Sequence, residues 1–407
     1  MIFTRPSFQI GKGFCRNRIE IPNKVKLQIY YPMKKVSVFL LLLLSFFGAK
    51  ANDGVFYASG NQLIPITETD ISVKKEVLTI TRVGDHLEVT VYYEFFNPSK
   101  PKDLLVGFEA EPPYPYEDEY MESFPEQPHM RNFTVLVNGE RLSYEVTTAM
   151  YPENMMKQDY FKNGKFTDLT KKQALQSIKD HDEMVMPFFF VYHFNAHFRE
   201  GLNIVVHTYD YDLSSSVGEE YSFPYVLTAA NRWANHQIDD FTLTINMGER
   251  ESFTIAPTFF KDVNDWTIKG VGRKNYSDEF KYPMFHIQKG SITFHKNNFH
   301  PEGELEISKP SAQLMLWGEE GHRVLDVVKQ QYCSWRVISF PDDVTLTKEE
   351  RRIMKNIPFA YRGHVFKDEG LKKFFESSAW YVADPSYEDD QSTLSKDEKE
   401  WIQYWAK

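Results

Sequence analysis

Between about Asn52 and Leu316, apolar and polar residues alternate with a period of two, and small groups of Gly, Asn, Asp and Pro interrupt the alternation. Leu87, Val89, Val91, Tyr93 and Phe95 interleave with Glu88, Thr90, Tyr92 and Glu94 behind a Gly84-Asp85 turn. Val135 and Val137 run into Asn138-Gly139, and Leu142 and Tyr144 follow. Asn-Gly tolerates the positive φ angles of a type I′ turn, so this stretch predicts a hairpin. Phe241, Leu243 and Ile245 repeat the pattern, as do Ile292 with Phe294 and Leu305 with Ile307. Many short strands with turns between them predict a mainly β chain: an antiparallel β-sandwich region over residues 52–316, built as one or two immunoglobulin-like sandwiches.

Two stretches break the alternation. Glu111 to Pro128 is rich in Pro, Tyr, Glu and Asp and reads as an acidic surface loop, because Pro is excluded from central strands. Residues 168–180 read as a helical insertion, with Thr170 and Gln173 at capping-box spacing. The segment from Phe190 to Tyr211 predicts a hairpin around Arg199-Glu200-Gly201. In that register Phe198 faces Leu202, Ala196 faces Ile204 and Phe194 faces Val206, and His193 lies opposite His207 on the polar side.

After about Pro341 the period becomes helical. Residues 317–345 read as a linker and 346–407 as a small α-helical module. Thr347 and Glu350 form a capping box ahead of Ile353, Ile357 and Ala360 or Tyr361, and Gly363 suits the helix end. Leu371, Phe374 and Phe375 mark a second helix. Ser395 and Glu398 cap a third, which carries Trp401, Ile402 and Trp405.

Within this module Asn356, Phe359, Ala360, Gly363, Phe366, Phe375, Trp380 and Tyr381 stand at the spacing of the YARHG module of exported bacterial proteins, which the segment resembles. It departs from that pattern at Tyr361 and Arg362, where Arg and His are usual, and at Pro358, which should kink the helix near Met354. The resemblance implies an extracytoplasmic setting and a cell-envelope role, with no established chemistry. The opening strands, together with Tyr225-Val226-Leu227-Thr228 and Trp233 before Phe241-Thr242-Leu243, more loosely resemble a β-rich envelope domain of unknown function found ahead of such modules.

The N-terminal segment points to the same compartment. Met33-Lys34-Lys35, the apolar run Val36 to Phe47 and then Gly48-Ala49-Lys50-Ala51 have the form of a signal peptide over residues 33–51, cleaved after Ala51. Residues 1–32 then read as a misassigned upstream extension. The apolar run is shorter than the roughly 20 residues a membrane span needs, and no cysteine stands at the cut. The expected product is periplasmic or secreted, without a lipid anchor or a membrane span.

Charge narrows the partners. The chain has 47 basic and 57 acidic residues; nine of the former and one of the latter precede Asn52, leaving 38 and 56, a net charge of −18. Such a balance opposes binding to phosphate backbones or anionic lipid, so nucleic acid is not an expected partner. Only Cys15 and Cys333 occur, and one thiol in the mature chain allows no internal disulfide.

Candidate chemistry is sparse. His193 and His207, with His197 beside them, are the candidate metal ligands if the hairpin register holds. Tyr361, Arg362, His364, Trp380 and Tyr381 are candidate binding residues of the helical module, and Tyr114, Tyr116, Tyr120 and Phe124 of the acidic loop could stack on sugar rings. Trp380 and Tyr381 can equally pack on Phe366 and Phe375, and Arg362 can cap its helix. No Gly-x-Ser-x-Gly elbow, His-Glu-x-x-His or Walker loop occurs. The reading is a non-catalytic envelope protein that binds or scaffolds without a cofactor. Its expected partner is a cell-wall glycan such as peptidoglycan, or another envelope protein. The alternative is an envelope hydrolase, a glycosidase or a metal-dependent enzyme.

Overall fold

The computed structural model describes residues 63–66, 69–110, 123–150, 161–162, 165–166, 168–180, 188–213, 215, 219–276, 282–310, 325, 328–329 and 346–406. The upstream extension, the signal segment, Tyr114, Tyr116, Tyr120, Cys333 and most of the expected linker lie outside them.

The strands assemble into two main sheets. In the four-stranded sheet the order is β1 (Leu63–Pro65), β4 (Lys102–Ala110), β10 (Phe188–Phe198) and β7 (Glu145–Met150). The eleven-stranded sheet runs β12 (Glu219–Tyr225), β17 (Leu305–Pro310), β14 (Glu251–Ile255), β16 (Pro283–Phe299), β13 (Ile238–Asn246), β2 (Ser72–Val83), β3 (His86–Asn97), β11 (Gly201–Asp212), β5 (Met130–Val137) and β6 (Glu140–Arg141). A further strand, β15 (Trp266–Tyr276), pairs with β16. The short β8 (Phe161–Lys162) and β9 (Lys165–Phe166) pair with each other.

In β3 and β10 the period-two alternation places its apolar side where expected, whereas in β11 the sides are reversed, with Leu202 and Ile204 exposed and Asn203 and His207 buried. In β3, Leu87, Val89, Val91, Tyr93 and Phe95 are buried while Glu88 and Thr90 are exposed and Glu94 is half-buried. One cluster joins the inner faces of the two sheets, where Phe108 of β4 lies 5.2 Å from Phe133 of β5 and 5.4 Å from Tyr209 of β11, ring centre to ring centre. Each such fully buried aromatic contributes about 1.5–3 kcal/mol of transfer free energy. Asn138 and Gly139 take φ values of 52° and 85°, the two positive angles the predicted β5–β6 turn requires.

Strand pairing departs from the expectation in two places. The large sheet is mixed, because β2 and β13 run parallel with Ile80 beside Ile245. A parallel neighbour needs a long connection, and everything from β3 to β12 lies between these two strands. The hairpin expected from Phe190 to Tyr211 does not pair with itself: Phe198 lies opposite Lys102, and Leu202 opposite Phe96. Gly201 does take the left-handed conformation, at φ 85°, but the turn is a corner that carries the chain from one sheet to the other. Side-chain amides hold that corner. Asn203 accepts from the Arg199 N–H at 2.8 Å and donates to the Arg199 carbonyl at 2.8 Å, while Asn97 donates to the Phe198 carbonyl at 3.3 Å.

The helices sit where their caps predict. In α1 (Lys171–Asp180), the Gln173 side chain accepts from the Thr170 N–H at 2.9 Å. Thr347 and Glu350 form the reciprocal box of α2 (Lys348–Tyr361), Asp368 caps α3 (Glu369–Glu376), and Ser395 with Glu398 caps α4 (Lys396–Trp405). Pro358 lies inside α2 and denies the Met354 carbonyl its usual donor four residues on; the Trp401 indole N–H of α4 donates to that carbonyl at 2.7 Å instead. A second core of Ile353, Met354, Ile357, Phe366, Phe375, Trp380 and Trp401 fills the space between these helices.

Candidate functional site

The helical segment does not stand free of the sheet. Side chains of β15 and β16 donate to backbone carbonyls of the helical segment: Arg273 to Ser378 at 3.1 Å, Asn275 to Ala379 at 3.2 Å and Gln288 to Tyr361 at 2.9 Å. In the opposite direction the Tyr361 hydroxyl donates to the carbonyl of Arg250, a residue held at φ 57° between β13 and β14. Burial pushes the Tyr361 phenol up to about 12, so it remains a donor throughout the ordinary pH range.

Along this seam lies a cleft of about 360 Å³, lined from the sheet side by Arg250, Gln288 and Lys289 and from the helical side by Arg362, Asp384 and Tyr387, with Glu388 at its edge. Gly363 makes the helical wall possible. It ends α2 at φ 85°, and a Cβ there would stand 2.8 Å from the Asp384 Cβ, while its carbonyl accepts from the Asp384 N–H at 2.8 Å.

Most of the charged groups are already committed. Lys289 donates to Asp384 at 3.0 Å and to the Ser386 hydroxyl at 2.5 Å. The Ser386 hydroxyl, with Lys289 beyond it, holds the Asp384 carboxyl below its ordinary range. Arg362 forms a two-pronged pair with Glu398 and also donates to the Thr393 carbonyl at 3.1 Å. Three groups are not committed: the exposed Glu388 carboxylate, which has no ion pair or side-chain hydrogen bond among the described residues, and the two that follow. The Tyr387 hydroxyl is buried without a hydrogen-bond partner among the described residues, and its phenol is pushed up by that burial. The Arg250 guanidinium makes no hydrogen bond among the described residues, and its ion-pair contact, with Glu249, is long at 3.6 Å.

The five candidate binding residues fall into two groups. Arg362 lines the cleft and Tyr361 braces its sheet wall, whereas His364 sits beside it, bonded to Asp389 at 2.7 Å. Trp380 and Tyr381 belong to the core: the Trp380 indole donates to the Val328 carbonyl at 2.6 Å, and the Tyr381 hydroxyl to the His364 carbonyl at 2.7 Å. Of the loop aromatics, Phe124 packs against the main core. Arg250, Lys289, Asp384, Tyr387 and Glu388 carried no signal in the sequence, because a seam between distant segments leaves no spacing pattern.

The paired-histidine metal site rested on the hairpin register and falls with it. His193 projects from the outer side of the four-stranded sheet, beside Phe189 and Val191, and bonds the Thr147 hydroxyl at 3.0 Å. His207 lies in the core between the sheets, stacked on Tyr93 at 5.8 Å and Tyr209 at 6.1 Å, with both ring nitrogens lacking a hydrogen-bond partner among the described residues. His197 bonds Asp103 at 2.8 Å on the surface. Among the described residues no group of three His, Cys, Asp or Glu side chains is placed to hold a metal ion.

Residues 341–407 match the YARHG domain, and residues 51–186 match a domain of unknown function, DUF4424. The C-terminal segment is thus a YARHG domain preceded by a DUF4424 domain. No curated protein matches the chain. Among solved structures, similarity extends to a "putative nutrient binding protein" of Legionella pneumophila, with a TM-score of 0.46 at 14% identity over 86% of this chain and 98% of that one. An M1 zinc metallopeptidase of Deinococcus radiodurans is similar with a TM-score of 0.25 at 11% identity, over 60% of this chain and 43% of that one.

Proposed function

We propose that this chain, a DUF4424 domain followed by a YARHG domain, works outside the cytoplasm as a non-catalytic binding protein of the cell envelope, and that the seam cleft holds its ligand. The leader pattern over residues 33–51 and the presence of a YARHG domain support the compartment. No helix among the described residues is long and apolar enough to cross a membrane.

The cleft carries the reading. Its volume of about 360 Å³ is at the small end of ligand sites, which suits a fragment of a wall polymer or a small polar solute. The committed pairs, Lys289 with Asp384 and Arg362 with Glu398, keep its walls fixed before a ligand arrives, and a fixed wall lowers the ordering cost of binding. The same commitment argues against proton transfer, which needs an acid or base poised near the working pH.

The test uses the whole mature chain. Purified peptidoglycan sacculi and their soluble digest are offered to the wild type and to Tyr387→Phe, and retention and heat of binding are measured. Saturable binding that weakens in the variant is the expected result. Failure to bind any envelope polymer or fragment removes the reading, and turnover of the offered material replaces it with the hydrolase.

A further inference from the structure

Resting on the reading of the seam cleft as a binding site, we propose that it recognises a small zwitterion, an amino acid or the free ends of a short peptide, with the carboxylate on Arg250 and the ammonium on Glu388. The cleft holds charge that its own walls do not neutralise. Three bases and three acids line the cleft: Arg250, Lys289 and Arg362 against Glu249, Asp384 and Glu388. Lys289 and Asp384 neutralise each other, and Arg362 is neutralised from behind by Glu398. What remains for a ligand is the Arg250 fork, loosely countered by Glu249 at 3.6 Å, and the exposed Glu388 carboxylate, which has no ion pair or side-chain hydrogen bond among the described residues.

A guanidinium fork matches a carboxylate with two parallel hydrogen bonds, and a carboxylate accepts readily from an ammonium. A purely anionic ligand would meet Glu249 and Glu388, and a purely cationic one would meet Arg250 and Lys289. A ligand carrying both signs satisfies both. The partnerless Tyr387 hydroxyl then supplies a donor for a carbonyl or hydroxyl between the two charged ends. Tyr361 contributes by position: its hydroxyl holds the Arg250 carbonyl, which fixes the left-handed turn from which the fork projects.

The experiment is calorimetric titration of the intact mature chain with the common amino acids, diglycine, triglycine and alanyl-alanine. Each peptide is also offered N-acetylated and C-amidated, and the neutral disaccharide N,N′-diacetylchitobiose runs in parallel. The expected result is a zwitterion that binds and loses about tenfold to a hundredfold in affinity when either end is blocked, the scale of a lost charged hydrogen bond. Arg250→Gln is expected to abolish the response to free and acetylated peptides alike. Glu388→Gln is expected to weaken the free peptide to the level of the acetylated one and leave the latter unchanged. The Glu388 side chain is exposed and that of Arg250 is 41% exposed, neither makes a hydrogen bond among the described residues, and an unaltered unfolding midpoint checks that the variants fold. Equal affinity for free and blocked peptides overturns the proposal. Binding of chitobiose alone, lost in Tyr387→Phe, also overturns it while leaving the cleft a binding site; binding of nothing, sacculi included, removes both.

Discussion

Two buried histidines set how the molecule responds to acid. His207 and His286 are fully enclosed, and burial pulls both imidazoles down to about 3. His207 lies among the rings of Tyr93, Phe108, Phe133 and Tyr209, and among the described residues no carboxylate acts on it to welcome its proton. Because the folded value lies below the unfolded 6.5, the unfolded chain binds more protons between these limits, and stability falls as pH drops through that window. At pH 5 each histidine costs about 2 kcal/mol relative to neutral pH. Urea midpoints are therefore expected to fall from pH 7 to pH 5, with a flatter decline in His207→Phe; parallel declines would refute the assignment. The Arg362–Glu398 pair is the second residue-scale lever, with side chains only 10% and 3% exposed. Arg362→Ala strands a buried carboxylate and is expected to cost about 3–5 kcal/mol in urea unfolding, with much of that loss recovered in the double variant Arg362→Ala/Glu398→Gln.

At the scale of elements, the joints are made by side chains reaching backbone. Tyr361→Phe removes one donor to the Arg250 carbonyl and is expected to cost about 1 kcal/mol, read as faster amide exchange in the helical segment without loss of the sheet's protection. The hairpin of β15 and β16 is tighter still. Gly270 and Gly290 face each other with φ of 129° and 108°, and a Cβ on Gly270 would stand 2.2 Å from the Lys289 carbonyl oxygen. Gly270→Ala should therefore destabilise the seam itself and lower the thermal midpoint. These joints were not legible in the sequence, whereas the caps were. Thr347 with Glu350 and Ser395 with Glu398 act over three residues, so their chemistry is written locally. Even there the reading was partial, because Glu398 also serves Arg362 from 36 positions away. Alternation told which face of β10 is buried but put the wrong face of β11 inward, since Leu202 and Ile204 are exposed while Asn203, Val205 and His207 are buried, and it did not tell which strand lies beside each. That choice is made by neighbours distant in sequence and by the Asn97 and Asn203 amides at the corner.

For the whole molecule, the stretch matched by the DUF4424 domain is not a self-sufficient set of strands. Within residues 51–186, β2 lacks β13, β3 lacks β11, and β4 lacks β10, all of which come later in the chain. A fragment ending at 186 is expected to give the poorly dispersed amide spectrum of an unfolded chain; a cooperative melt from that fragment would contradict the pairing. The parallel contact between β2 and β13 has a consequence for the order of events as the chain is made. The second strand cannot complete its ladder until Ile238–Asn246 has emerged, so early collapse of the N-terminal strands gains little. The delay written into that one pairing leaves the closing of the large sheet until most of its strands exist.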